Sequence, residues 1–432
     1  MRQRLSALVN VRREEVVPVL LAMLFFFCIL TALMVLRPAR DALGMQRGIE
    51  AVRWLFVGTA VVTLLAQPVY GWLVSRLPRM QFMVVAYGFF AVSLVGFFLL
   101  LVLAEDAVGI VSGQVFYVWF SAFNLFSTML FWAVMADRFS LEQGKRFFAL
   151  IAVGGTLGAI FGPWLASRVA VGSGTPFLLL ISAGFLMFAL LSAAGVARSQ
   201  TSTGGSRGIS PPPDTNTAII GGKAWQGVVA VFRSPYLLGI AGYVVIMTVM
   251  ATLLYFTRLQ MVAALGDDLD MRTAMFARID FYTQITTLIL QAFVAGRVMQ
   301  RFGVHLTLML LPLTAALGFV GLAMVASITV LIFFEAAFRA VQRSFTRPAR
   351  ETLYTVISRE DKYKAKGFID TFGYRGGDVL GAQLEGMLGR LALGLAGLAS
   401  VAVPIAIVWA GLGWWLGGTQ RAVHRRGHEK AG

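Results

Sequence analysis

The stretch "VVPVLLAMLFFFCILTALMVL" at residues 16–36 contains no charged side chain. A helix needs about 20 apolar residues to cross the hydrocarbon core of a bilayer, so this stretch predicts a transmembrane helix. It is too long for the apolar core of a signal peptide, and Arg37 follows it instead of a small-residue cleavage site. We therefore expect this first helix to be retained.

The rest of the chain has the same character. Its mean hydropathy is +0.76, with 58% hydrophobic and only 13% charged residues, which excludes an ordinary soluble globular protein. We see no alternating ten-residue strands of the kind that build a membrane β-barrel. Twelve apolar helices are predicted, at about 16–43, 51–74, 80–104, 108–137, 147–170, 175–197, 236–260, 272–297, 304–325, 327–356, 366–390 and 393–417.

The net charge of +16 has two interpretations. It could reflect binding to nucleic acid, but a membrane protein gains such a charge from cytoplasmic loops rich in Lys and Arg. Most of the basic residues fall in alternate loops, on the side that holds the two termini. We therefore expect a multi-pass membrane protein with both termini in the cytoplasm, and no nucleic-acid partner.

The chain divides into two halves. Residues 198–217, "RSQTSTGGSRGISPPPDTNT", have a linker composition and lie between six predicted helices and six more. An internal repeat supports this division, because Gly154, Gly158 and Gly162 recur about 220 residues later as Gly373, Gly377 and Gly381. We expect a six-helix bundle at 1–197, a cytoplasmic linker at 198–233, a second bundle at 234–417 and a basic tail at 418–432.

The two glycine runs have a spacing of four residues, which places them along one face of a helix. Such runs let helices approach closely, so we interpret them as packing surfaces. The segment "GGTLG" lacks the Lys-Ser/Thr and the preceding strand of a phosphate-binding loop.

Enzyme chemistry has few candidate residues here. The single cysteine, Cys28, excludes a disulfide within the chain. His424 and His428 lie in the tail and His305 at the very start of a predicted helix, so no histidine lies deep in an apolar segment. We see no catalytic Ser/His/Asp or Cys/His set and no metal-ligand spacing. We expect no enzyme activity, no metal and no cofactor, and we expect a monomer in contact with membrane lipid.

Charged residues near or inside apolar helices are the strongest functional signal, because each costs about 2.5–3.5 kcal/mol on insertion scales. Arg37, Arg40 and Asp41 share one face at the end of the first helix. The structural interpretation is an interfacial cluster in which Arg37 pairs with Asp41. The functional interpretation is an anion site, because the planar arginine fork donates two parallel hydrogen bonds to phosphate or carboxylate.

The second half holds more such charges than the first. Glu335 and Arg339 are one helical turn apart, and we expect them to form a purely structural pair. Basic groups outnumber acids, so at least one arginine should be available to an anion. The remaining candidates are Tyr255, Arg258, Asp280, Arg350, Glu351, Asp370, Tyr374, Arg375 and Asp378, with Arg343 and Arg347 also on the tenth helix.

Two segments resemble a known family. "RPARETLYTVISREDKYKAKGFIDTFGYRGGDVLGA" at 347–382 is similar to the C-terminal pattern of the nucleotide transporters, the ATP/ADP exchangers of plastids and intracellular bacteria. "LRPARDAL" at 36–43 resembles their first-helix motif, with Arg40 in place of a substrate-binding lysine. The six-plus-six topology, with basic loops after the second and eighth helices, resembles the major facilitator superfamily.

These resemblances imply an all-α integral membrane protein with twelve transmembrane helices in two pseudo-symmetric six-helix bundles, which rock about a central site. Substrate-binding residues would be Arg37, Arg40, Tyr255, Arg258, Arg350, Tyr374 and Arg375. Coupling or charge-pairing residues would be Asp41, Asp280, Glu351, Asp370 and Asp378.

The sequence also departs from the exchangers. Phe120 or Ser121, and Tyr255, stand where they have acidic residues, and Asp378 stands where they have a lysine. ATP/ADP exchange therefore does not follow from the resemblance. The chain is similar to a divergent bacterial member of the family, which implies the bacterial inner membrane, and the substrate is expected to differ.

Three functions remain open at this point. The first is a secondary transporter of an organic anion or nucleotide, in which Tyr255, Tyr374 and Trp132 would line the path. The second is a proton-coupled exporter of an amphipathic compound, in which Asp41, Asp280 or Asp378 would take up protons. The third is a transport-inactive sensor or scaffold, whose basic tails would bind partners or anionic lipid headgroups.

Overall fold

The structure, a computed structural model, describes residues 15–76, 79–104, 106–198, 231–357, 365–391 and 394–429. Within these residues the regular structure is helical and no strand occurs. The helices are α1 (Val16–Gly44), α2 (Ile49–Arg76), α3 (Arg79–Leu103), α4 (Asp106–Arg138), α5 (Leu141–Gly172), α6 (Phe177–Arg198), α7 (Pro235–Ala263), α8 (Leu269–Met324), α9 (Ile328–Val341), α10 (Arg347–Leu353), α11 (Tyr374–Arg390) and α12 (Gly394–Glu429).

These elements match the predicted apolar segments in order. α8 contains the eighth and ninth predicted helices, which are separated at Gly303, where φ is 66° and ψ is 174°. Among the described residues, nine helical stretches are long and apolar enough to cross a membrane. The remaining predicted spans contain more charge, as the tenth and eleventh do.

Three boundaries differ from the prediction. α5 begins at Leu141, because Ser140 and Gln143 form a capping box with N···O distances of 3.1 and 3.3 Å. The tenth predicted helix is divided into α9, a π-helical segment at Gln342–Thr346 and α10. α12 continues to Glu429, so most of the segment predicted as a tail is helical, since no proline interrupts it.

The described chain forms two compact units. Unit 1 contains the described residues up to 198 together with Val262–Phe281, and unit 2 contains residues 231–261 and the described residues from Tyr282 onward. The 198–233 linker falls almost entirely outside the described residues. The predicted domain boundaries stay a prediction.

α1 is the central helix of unit 1. Its most extensive contacts are with α5 and α6, and Phe25, Ile29 and Leu33 on it are fully buried. Aromatic rings form much of the surrounding core, with Phe26 stacked on Phe131 at a centroid distance of 4.2 Å. Valine, leucine and phenylalanine side chains on the opposite faces of the outer helices are exposed, as expected for surfaces that contact lipid.

The two glycine runs are the contact surfaces of two equivalent helix pairs. In unit 1, Cβ atoms added to Gly154, Gly158 and Gly162 would collide with backbone or side-chain atoms of Met23, Phe27 and Thr31–Met34 on α1. In unit 2, Gly373, Gly377 and Gly381 face Val244, Thr248 and Thr252 on α7. Each glycine and its contact recur about 220 residues later, so the repeat extends to the way each pair packs.

The start of α8 is attached within unit 1 by polar contacts. Asp270 accepts a hydrogen bond from the Thr175 backbone N–H at 2.6 Å, and the buried hydroxyls of Thr175 and Thr273 lie 2.9 Å apart. Ala274 and Ala277 then pack with Val35 and Ala39 of α1, two alanines of α5 and Leu178 of α6. These contacts explain why Val262–Phe281 belongs to unit 1.

Candidate functional site

The most distinctive site in unit 2 is a cavity of about 410 Å³ beside the π-helical segment that follows α9. Polar side chains dominate its lining. The lining residues are Met247, Gln342, Arg343, Thr346, Arg347, Arg350, Asp370 and Tyr374.

Irregular helical geometry presents these side chains to one space. Pro348, near the start of α10, has no backbone N–H and its ring would clash with the carbonyl four residues back in a regular helix. The chain before it forms π-helix, and the Arg347 N–H bonds to the Gln342 carbonyl five residues back. A second π-helical segment at Ile369–Gly373 precedes α11 and contains Asp370. Single-turn π segments often occur at functional sites.

Arg350 is the most buried charged residue of this cavity, at 5% exposure. Its Nη1 donates a hydrogen bond to the Tyr374 hydroxyl at 2.5 Å, and its Nη2 lies 3.6 Å from Asp370 Oδ1. The guanidinium carbon also lies 5.5 Å from the centre of the Tyr374 ring. These contacts fix the plane of the guanidinium, while its Nε has no hydrogen-bond partner among the described residues.

Positive charge exceeds negative charge at the cavity. Arg343, Arg347 and Arg350 line it, and Asp370 is the one carboxylate among its described lining residues. Arg343 and Arg347 are exposed, in contrast to Arg350. The group favours an anion, because Arg donors fit phosphate and carboxylate oxygens in pairs.

A second ion pair lies one turn beyond the cavity. Lys366 Nζ is 2.6 Å from Glu351 Oε2 and 5.8 Å from the centre of the Tyr354 ring. The Tyr236 hydroxyl donates to the Leu353 carbonyl at 3.0 Å, which ties α7 to the end of α10. Lys362 and Lys364, which also belong to the segment 347–382 that resembles the nucleotide transporters, lie outside the described residues.

Arg258 is not at the cavity. It is fully buried, with Nη1 3.7 Å from Glu335 Oε2, and Arg339 Nη2 lies 2.9 Å from the same oxygen. The predicted Glu335–Arg339 pair is therefore present. Arg258, which was predicted to bind substrate, contacts the same carboxylate. Their shared contact on one carboxylate gives this group a structural explanation.

Arg375 likewise contacts an acid on its own helix. Its Nη1 lies 3.3 Å from Asp378 Oδ2, and Asp378 Oδ1 accepts a hydrogen bond from Thr252 of α7 at 3.4 Å. Nearby, Gln260 donates to the buried Glu385 at 2.6 Å. α7 and α11 are therefore joined by polar contacts beside their glycine interface.

The first-helix cluster belongs to unit 1 and its pairing differs from the prediction. Asp41, which is fully buried, accepts a hydrogen bond from Arg40 Nε at 2.9 Å, whereas Arg37 Nε lies 3.8 Å from Asp280 Oδ2. The structural interpretation paired Arg37 with Asp41, but the adjacent Arg40 reaches Asp41, while Arg37 reaches Asp280 of α8. Arg40 also lies over the Tyr117 ring at 4.6 Å.

The remaining aromatic candidates pack with their neighbours. Trp132 makes edge contacts with Phe26 and Phe148 at centroid distances of 5.4 and 5.5 Å, so it contributes to the core of unit 1. Tyr255 is half-buried in unit 2, with its ring 5.6 Å from that of Phe256.

The structure thus brings together three predicted site residues, Arg350, Asp370 and Tyr374. It adds Arg343 and Arg347, which sequence reasoning noted on the same helix without assigning them to the site. Their signal was the spacing 343, 347 and 350, which places three arginines on one helical face. No group of three or more His, Cys, Asp or Glu side chains able to hold a metal ion occurs within the part of the chain that the structure describes.

Comparison with known proteins agrees with this architecture. The family model described as Major Facilitator Superfamily matches residues 19–338. No curated protein matches the chain.

Three solved structures share the fold. A bacterial homolog of the human lysosomal transporter Spinster, in an inward-facing and unoccupied conformation, gives a TM-score of 0.65 at 12% identity, covering 96% of this chain and 99% of its own. A mutant of the nucleoside transporter NupG gives 0.60 at 12% identity, covering 94% and 99%. A D-xylose–proton symporter gives 0.62 at 14% identity, covering 92% and 96%.

These proteins are transporters, and the family match covers well over half of the present sequence. The all-α fold with its long apolar helices is the fold that the three structures have in common. This chain belongs to the major facilitator superfamily of membrane transporters.

Proposed function

We propose that this protein is a secondary active transporter that moves an organic anion across the bacterial inner membrane by alternating access. The observation that carries the proposal is the 410 Å³ cavity of unit 2, where Arg343, Arg347 and Arg350 are accompanied by the single described carboxylate of Asp370.

Arg350 is positioned to act as the inner contact for the anion. Its two Nη atoms already face Tyr374 and Asp370, which hold the guanidinium in one orientation. A pre-oriented donor loses less conformational entropy when the ligand arrives. Arg343 and Arg347 lie on the exposed side and would meet the same anion first.

The cavity volume supports a small organic substrate. Sites for small molecules generally measure about 300–1,000 Å³, and this cavity is near the lower end of that range. Tyr374 offers a ring face beside the arginines, on which a planar group could stack. A phosphorylated or carboxylated compound with a compact body fits these features.

A nucleotide is the first substrate class to test. The segment 347–382, which resembles nucleotide transporters, supplies four of the lining residues, Arg347, Arg350, Asp370 and Tyr374. One structure of similar fold is a nucleoside transporter, although its identity of 12% bears on the fold alone. In this proposal Arg37, Arg40, Tyr255, Arg258 and Arg375 remain candidate substrate contacts in other states of the transport cycle.

Proton coupling is the second candidate, and one observation favours it. Asp280 is 1% exposed and its carboxylate lies 3.8 Å from Arg37. A buried aspartate beside an arginine could take up a proton when the pair separates. A proton symporter also shares the fold.

Counterflow in proteoliposomes tests the proposal. Vesicles loaded with unlabelled nucleotide would be offered labelled nucleotides, and a second panel would use small phosphorylated and carboxylated anions. We expect saturable uptake that requires internal anion. Arg347→Gln should raise the half-saturation concentration about tenfold, as expected for one lost charge-assisted hydrogen bond.

Arg168→Gln is the matched control, since Arg168 is an exposed arginine at the end of α5 in the other unit. It should leave uptake unchanged. Uptake driven by a pH gradient without internal anion would favour the proton-coupled alternative. Folded protein that moves no anion in either panel would overturn the proposal and support a transport-inactive sensor or scaffold.

A further inference from the structure

A second cavity in unit 2, of about 350 Å³, shares no lining residue with the cavity formed by Arg343, Arg347 and Arg350. It is formed where the second part of α8 begins and where α12 approaches its C-terminal end. Its lining residues are His305, Trp414, Gly418, Arg421 and Ala422. No carboxylate is among them within the described residues.

Two glycines allow the helices to meet at this point. A Cβ on Gly417 would lie 2.5 Å from the His305 Cα, so only glycine permits this approach. Gly303 has φ of 66°, a left-handed conformation that favours glycine, and it ends the first part of α8 just before His305. The Thr307 hydroxyl donates to the Gly303 carbonyl at 2.7 Å and secures the new helical turn.

Two nitrogen atoms converge on the space that Gly303 leaves open. The position that a Cβ would occupy lies 3.6 Å from His305 Nδ1 and 3.9 Å from Arg421 Nη2. His305 Nδ1 is buried and has no hydrogen-bond partner among the described residues. A buried polar atom without a partner is costly, and an anionic oxygen at this point would accept a hydrogen bond from Nδ1 when that nitrogen carries a proton.

The cavity also lies at the level where two apolar spans end. The spans Gly303–Met324 and Gly394–Ala422 have His305 and Arg421 next to their ends. Trp414 is two helical turns deeper than Arg421, has 52% of its surface exposed and packs edge-on to His305 at 4.8 Å. Tryptophan concentrates at membrane interfaces, with a ring that suits the region between headgroups and acyl chains.

We propose that this cavity binds the phosphate of an anionic phospholipid headgroup. His305 and Arg421 would contact the phosphate oxygens, and Trp414 would contact the glycerol and upper acyl-chain region. This site is independent of the proposed transport substrate.

Native mass spectrometry of the full chain, released from nanodiscs, measures the bound lipid directly. The discs would contain phosphatidylcholine alone, phosphatidylcholine with phosphatidylglycerol, or phosphatidylcholine with added inorganic phosphate. We expect retained phosphatidylglycerol adducts on the wild type. Arg421→Gln should lower their occupancy about fivefold, the effect of one basic residue near a membrane surface.

His305→Asn is a second variant, which should also reduce the adducts if both nitrogens contact the phosphate. Arg390→Gln, at the exposed end of α11, is the matched control and should retain them. Equal phosphatidylglycerol occupancy in wild type and Arg421→Gln would overturn the proposal. Adducts of inorganic phosphate that Arg421→Gln abolishes, without selective retention of phosphatidylglycerol, would reassign the cavity to a free anion.

Discussion

Glu335 has two arginines around one of its carboxylate oxygens, the half-buried Arg339 at 2.9 Å and the fully buried Arg258 at 3.7 Å. Removal of the negative charge would leave two cations in a region where Arg258 has no exposed surface. The loss of one partner from a buried ion pair costs about 3–5 kcal/mol, because the remaining charge is no longer compensated.

We therefore predict that Glu335→Gln lowers the apparent melting temperature of the detergent-solubilised protein and reduces its folded yield. Glu50→Gln, an exposed acid in the first turn of α2, should leave both unchanged. A double variant, Glu335→Gln with Arg258→Met, should recover part of the loss. An unchanged melting temperature in Glu335→Gln would show that this carboxylate does not stabilise unit 2.

The interface between α1 and α5 depends on glycine. A Cβ on Gly158 would overlap the backbone oxygen of Phe27, which cannot move without shifting α1. Overpacking of this kind costs about 1–3 kcal/mol. Gly184, in the middle of α6, has nothing within 4 Å of its Cβ position and offers a matched control.

We predict that Gly158→Ala lowers the melting temperature, whereas Gly184→Ala preserves or raises it, since alanine favours a helix. The repeat extends the prediction to unit 2, where Gly377→Ala would press against Thr248 and the Val245 carbonyl. Equal melting temperatures for Gly158→Ala and Gly184→Ala would contradict the close approach of α1 and α5.

Pro348 determines the helical register of the arginines that line the first cavity of unit 2. With alanine at this position the backbone N–H returns, and the Gln342–Thr346 segment could relax to a regular α-helix. One residue of register turns a helix by about 100°, which would move Arg343 out of its present position in the cavity lining.

We predict that Pro348→Ala lowers the affinity for the anion about tenfold while its melting temperature stays the same or rises. Anion affinity would be measured as the concentration that protects the protein in a thermal-shift titration with the transported anion. Pro163→Ala in α5, a helix that does not line the cavity, serves as the comparison. A loss of stability without a change in affinity would assign Pro348 to folding alone.

The orientation of the whole molecule can be tested by labelling introduced cysteines, because the single native cysteine, Cys28, is buried and can be replaced. Two exposed residues flank α5 at opposite ends, Glu142 at its start and Ser173 just after it. With both termini in the cytoplasm, Glu142 would face the cytoplasm and Ser173 the other side of the membrane.

We predict that a membrane-impermeant maleimide labels Ser173→Cys on intact spheroplasts and labels Glu142→Cys only after the membrane is opened. The starting protein would carry Cys28→Ala to remove background labelling. The reversed labelling pattern would show that the distribution of Lys and Arg misassigned the orientation.

The membrane class, the order of the helices and the internal repeat could be predicted from the sequence. Apolar length is a property of a contiguous segment, so residues 16–36 indicate a spanning helix without knowledge of their neighbours. The glycine spacing is similarly local, and its recurrence indicated two equivalent packing surfaces, which the contacts of α5 and α11 confirm. The candidate site residues chosen from the sequence also included Arg350, Asp370 and Tyr374 of the cavity.

Only the tertiary structure decided which of those charges meet. Arg37 and Arg40 are one turn apart, yet they contact different acids. Arg40 contacts the adjacent Asp41, whereas Arg37 contacts Asp280 of α8. Arg258 was indistinguishable by sequence from Arg350, but Glu335 lies beside the first and a cavity beside the second. Charge pairing between helices depends on distances in the folded chain, and the π-helical turns that shape the cavity leave no periodic signal in the sequence.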